Sequence, residues 1–202
     1  MQFTNFALAA FAAGSAFAAP AAKEVRALDI LNVALGTVST VQTNVQNELA
    51  NVEALIGVNV STSALVPQLE SSLLNIAGEV QKIVGDVTPL VQNTVPKLVG
   101  DELQNVPTLL NGVLSIANGV QSTAQKLVNG VGSDALKAVK PELQLVLSTV
   151  EPIAKPVVNF ALSAVSGVVG DVANEVNGLV GNLNSVVGGL LAPVDGLLSG
   201  IL

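Results

Sequence analysis

Apolar residues recur along this chain at alternating steps of three and four. Leu28, Leu31, Leu35, Val38, Gln42, Val45, Leu49, Val52 and Ile56 form the first series, and eight of the nine are apolar. That period places them on one stripe of a helix sustained over four heptads. Thr37, Thr40, Thr43, Asn44, Asn47, Glu48 and Asn51 fall between them. The spacing predicts a helix from Ala27 to Ile56, stopped by Gly57, then a loop reaching Ser63.

Three further stripes keep the same step. Val66, Leu69, Leu73, Ile76, Val80, Ile83 and Val87 make the second, with Glu79 and Lys82 on its outer face and Pro67 near its start, where a missing N–H costs least. The third is Leu103, Val106, Leu110, Val113, Ala117, Val120, Ala124, Leu127 and Val131. It contains a near-exact tandem heptad, Asn111 to Ala117 followed by Asn118 to Ala124. The fourth is Leu136, Val139, Leu143, Val146, Val150, Ile153, Val157, Phe160 and Ala164. After Ala164 the register slips by one, giving Val165, Val169, Val172, Val176, Leu179, Leu183, Val186 and Leu190, then Val194, Leu197 and Ile201.

Strict three–four spacing does not arise from the two-residue period of a strand, so the abundant Val is read as helical despite its β preference. Pro sets the interruptions. Pro89, Pro96 and Pro107 lie between stripes two and three, so residues 85–102 read as a broken connection. Pro141, Pro152 and Pro156 fall inside stripe four, which is expected to kink or turn near Glu151 to Pro156, because each internal Pro costs ~3 kcal/mol. Eight of the eighteen Gly lie from Gly167 onward, and each costs ~1 kcal/mol relative to Ala inside a helix. The fold expected is all-α: a bundle of four to five amphipathic helices ending in a weak, Gly/Val-rich helix. A set of Pro-hinged helices that does not close in water is the alternative.

Composition changes this picture in three ways. Residues 1–18 combine a polar start, an apolar run from Phe6 to Phe17 and the small-x-small sequence Ala16-Phe17-Ala18, so they read as a signal peptide of a secreted protein. The run is too short to span a bilayer of ~30 Å, and no transmembrane span is expected. The chain has no Cys, so no disulfide supports a secreted fold. Hydrophobic residues make up 50% and charged residues 11%, the reverse of a disordered composition. Beyond the signal segment Phe160 is the only aromatic residue, which leaves a core of Val, Ala and Leu without interlocking rings. The organisation expected is a bundle over residues 19–165 and an amphipathic helix or tail over 166–202.

Net charge is −7, and no basic residue follows Lys155. Nucleic acid and anionic lipid both need clustered Lys or Arg, so neither is an expected partner. With no His and no Cys there is no imidazole base, thiolate or ordinary zinc site, and no enzyme, cofactor or metal is expected. Gly130-Val131-Gly132-Ser133-Asp134-Ala135 has the form of a phosphate-binding turn, but it follows an amphipathic helix rather than a strand. It reads as a helix-ending loop with Ser133 or Asp134 as the next N-cap. Asp171 and Glu175 share a helix face and read as solvated. Thr94/Lys97 and Thr123/Lys126 have a hydroxyl–amine spacing without companion motifs and read as helix surface. Asn59-Val60-Ser61 is an N-glycosylation sequon within the expected loop.

The stripes are therefore the residues with something to do. Phe160, Val172, Val176, Leu179, Leu183, Val186 and Leu190 are the candidates for apolar contact. The Ala/Phe-rich leader, the helices dense in Leu, Val, Ala, Asn, Ser and Thr, and the lack of Cys and aromatics give a resemblance over residues 1–165. The chain resembles the fungal secreted family typified by hydrophobic surface-binding protein A, most of all from Arg26 to Gly100; the tail beyond Ser166 departs from it. The resemblance implies a helical bundle that adsorbs to hydrophobic surfaces and recruits hydrolases there. Related cell-wall mannoproteins imply a fatty-acid cavity between helices. Three uses are thus expected in competition: binding a hydrophobic surface or interface, carrying a fatty acid or similar lipid, and self-association as a structural wall or matrix protein.

Overall fold

The computed structural model describes residues 27–58, 61–88 and 98–190. The expected signal peptide (1–18), Asn59, Thr94, Lys97 and the tail from 191 onward lie outside the described residues. Among those described the protein is all-α, with no strand. Its helices are α1 (Ala27–Ile56), α2 (Thr62–Asp86), α3 (Asn105–Gly130), α4 (Ser133–Ala164) and α5 (Asp171–Gly189), and a 3-10 turn at Gly100–Gln104 leads into α3.

The first four helices form a closed ring. α1 packs on α2 and α3, and α4 packs on the other flank of both. The directions follow from paired residues. Asn44 meets Glu79 while Asn75 meets Glu48, so α1 and α2 run antiparallel. Gly112 faces Val38, Gly119 faces Leu49 and Gly130 faces Ile56, so α1 and α3 run parallel. Only the two residues Val131 and Gly132 separate α3 from α4, and they turn the chain back.

The predicted stripes supply the core. Leu31, Val38, Val45 and Val52 of α1, Leu69, Leu73, Ile76, Val80 and Ile83 of α2, and every stripe-four residue of α4 are buried. Gln42, the one polar member of stripe one, is half-buried, and its amide donates to Ser115 Oγ at 3.1 Å. The buried face is wider than the stripes, because Ala34, Val41, Leu109, Ile116, Leu147 and Val158 are also enclosed. A helix in a ring touches two neighbours, so its apolar arc exceeds a two-stranded seam.

The tandem heptad of α3 acquires a reason. It repeats Gly and Ser along the side that meets α1: Gly112 and Gly119 lie against Val38 and Leu49, and Ser115 accepts from Gln42. Small residues there let two helix backbones approach closely.

Of the kink or turn expected at Glu151 to Pro156, the turn is corrected: the helix is not broken there. α4 is a single helix from Ser133 to Ala164 with Pro141, Pro152 and Pro156 inside it. After Pro152 it buries Ile153, Val157, Val158 and Phe160, each worth ~1.5–3 kcal/mol. That sum exceeds the two local proline costs of ~3 kcal/mol each. Ser148 and Thr149 hydroxyls donate back to Leu145 O at 2.9 Å and Val146 O at 2.6 Å, one turn before Pro152. Such back-bonding accompanies helix bending, which leaves room for a proline ring.

Candidate functional site

The fifth helix is where the candidates converge. α4 ends at Ala164, the chain turns through residues 165–170, and α5 then packs on the outside of the ring against α3 and α4. Gly167 (φ 81°) and Gly170 (φ 137°) bracket that turn in backbone regions that suit Gly. Val169 between them is 98% exposed. The one-residue register slip seen in the sequence is thus a helix end, a turn and a fresh start.

The expected contact residues divide into two groups. Val176, Leu183 and Leu190 are buried under α5, and Val172, Leu179 and Val186 are half-buried beside them. Phe160 belongs to α4 and is 2% exposed within the common core. Sequence spacing missed Ala173 and Val180, which complete the buried face of α5. Val180 stands four residues beyond Val176, so a stripe read at three-or-four steps in both directions contains it.

Opposite α5, Gln121 of α3 lies against Gly189, whose β-carbon position is 3.4 Å from the Gln121 amide nitrogen. Leu114 and Val128 share the heptad position of Gln121 and are partly buried against the core. The Gln121 amide thus marks where the C-terminal end of α5 meets α3.

Polar contacts between helices concentrate on α1. Glu53 of α1 accepts from Lys126 Nζ at 2.7 Å and from Thr123 Oγ1 at 3.4 Å, both on α3. Thr123 is buried, so the expectation that it is helix surface is corrected; Lys126 is exposed as expected, and both residues tie α3 to α1 through Glu53. The Lys126 hydrogen bond, with help from the lysine charge and Thr123, holds the Glu53 carboxyl below the usual carboxylate range. Glu79 accepts from Asn44 at 3.0 Å and pairs with Lys82, so this outer-face pair also reaches α1. The Asn44 amide, then Lys82, lowers its pKa against a smaller opposing effect of burial.

Open grooves flank these bridges. One of about 540 Å³ lies between the C-terminal ends of α1 and α3, lined by Glu53, Ser122, Gln125, Lys126 and Asn129 among others. Another of about 500 Å³ follows the Asn44–Glu79 seam between α1 and α2. Amide and charged side chains alternate with Ile56, Leu74 and glycines along their linings, and both grooves are open seams between helices. Among the described residues no three acidic side chains come together to hold a metal. Asp171 and Glu175 are both exposed.

The phosphate-like turn is corrected in one detail. Gly132 is the residue preceding α4, with extended backbone (φ −61°, ψ 151°), and its carbonyl accepts from Leu136 N at 3.0 Å. Ser133 and Asp134 sit inside the first turn. Among the described helices, only α4 is long and apolar enough to cross a membrane, and 61% of its most apolar window is buried in the bundle, as a core helix requires.

No family model, curated protein or solved structure matches this chain.

Proposed function

We propose that this chain is a secreted, non-enzymatic protein that binds hydrophobic surfaces or interfaces through the apolar faces of its helices. The observation that carries the reading is the seat of α5. A ring of four helices closes without it, and α5 buries Val176, Val180 and Leu183 against the outside of that ring. A face buried this way can exchange its cover for any other apolar surface. At ~25 cal/mol per Å², a few hundred Å² of exchanged contact is worth several kcal/mol. Leu162 just before the turn and Val169 within it are 40% and 98% exposed, at the place where such an exchange would start. The resemblance to the fungal hydrophobic surface-binding family supports the same reading, as does the acidic net charge, which favours uncharged surfaces over anionic ones.

Depletion of the protein from solution by polystyrene beads, with hydrophilic silica as control, tests it. Selective loss onto polystyrene that persists in high salt is the expected result. No loss on either bead would overturn the reading and direct the search to a lipid co-purifying with the protein.

A further inference from the structure

We infer that α5 is a strap, hinged at Gly167 and Gly170, that lifts from α3 and α4 while the four-helix ring stays folded. Its role in capture of an apolar surface rests on the reading above; its opening does not. Four observations meet here. The two hinge glycines hold positive φ on either side of a fully exposed Val169. Within Asp171–Gly189 only Ala173, Val176, Val180 and Leu183 are buried, whereas α4 buries sixteen residues along Ser133–Ala164. Gly178, Gly181 and Gly188 have nothing within 4 Å of their β-carbon positions, so they lower helix propensity without serving packing. Finally, neither polar bridge made by Glu53 or Glu79 involves α5, and both lie within the ring.

Elements with few buried contacts open at lower free energy than the global transition. When α5 lifts, Val176 and Leu183 are uncovered together with the side of α3 and α4 against which they pack. One motion therefore produces two apolar faces joined by a flexible turn, a geometry suited to spreading on a flat surface.

The absence of Cys makes a direct test available in the full chain. Gln121→Cys with Gly189→Cys supplies the only two thiols, at a contact between α3 and α5, and a short bifunctional alkylating reagent joins them. Native-state hydrogen exchange is read before and after joining, alongside the polystyrene assay. Amides of α5 should be at least ~10-fold less protected than the slowest amides of α3 and α4. Joining should raise α5 protection and suppress adsorption, while the same protein with each thiol singly blocked adsorbs normally. Gly178→Ala with Gly181→Ala, which disturbs no contact, should raise α5 protection by about fivefold per substitution. Equal protection of α5 and the ring would overturn the strap. Full adsorption by the joined protein would overturn its role in capture and leave surface binding intact. A strap that opens in a protein that never adsorbs would remove the surface reading alone.

Discussion

Gly112 of α3 stands so close to Val38 of α1 that a β-carbon on Gly112 would lie 2.5 Å from Val38 Cγ1. Val38 is β-branched, buried in mid-helix and restricted at χ1, so it cannot turn away cheaply. The parallel contact between α1 and α3 is set by this lack of a side chain. Gly112→Ala is expected to lower stability by about 1–2 kcal/mol, overpacking outweighing a propensity gain of ~1 kcal/mol. Gly36→Ala and Gly78→Ala, where nothing lies within 4 Å, should raise it by about 0.5–1 kcal/mol each. Urea unfolding separates the two signs. Adding Val38→Ala to Gly112→Ala should recover part of the loss as a favourable coupling in a double-mutant cycle.

Phe160 tests the plasticity of an aliphatic core. It is the largest fully buried side chain of the described residues. Phe160→Ala should cost about 3–5 kcal/mol if the surroundings stay rigid, and Phe160→Leu below about 2 kcal/mol. An Ala variant measured near 1 kcal/mol by urea unfolding would mean that the Val, Leu and Ala shell collapses into the space.

Acid should loosen the ring at its two carboxylate bridges. Glu53 and Glu79 have pKa values lowered in the folded state, from an ordinary value of about 4.3. Their contribution is complete above that ordinary value and is lost as pH falls through the lowered folded values. The urea midpoint of the native protein should therefore decline between about pH 5 and pH 3. A Glu53→Gln/Glu79→Gln variant should be less stable at neutral pH and show a shallower decline, and an identical slope would exclude these bridges as the cause.

Gly170 carries the steepest backbone demand. Its φ of 137° with ψ of −166° lies in a region essentially reserved for Gly. Gly170→Ala should cost about 1–3 kcal/mol in the docking of α5, seen as faster hydrogen exchange in Asp171–Gly189 with α1 to α4 unchanged. Faster exchange throughout the protein would show instead that α5 and the ring unfold together.

What the sequence determined by itself was local and periodic. The three–four step fixed helix type, the ends of α1 near Ala27 and Ile56, and the central line of buried residues on each helix, because burial on a helix follows a 3.6-residue period wherever the helix sits. The slip after Ala164 marked the start of a new helix for the same reason. The three-dimensional fold decided everything that depends on which face meets which neighbour. Proline propensity argued for a break in α4, and packing overruled it because the apolar face runs on past Pro152 to Ala164. Thr123 looked like surface until α1 brought Glu53 beside it. Periodicity also gave α5 an apolar face without saying what covers it. Only the ring of α1 to α4 supplies that answer, since an amphipathic stripe is satisfied equally by a core, a ligand or a surface, and the partner is chosen by tertiary contact.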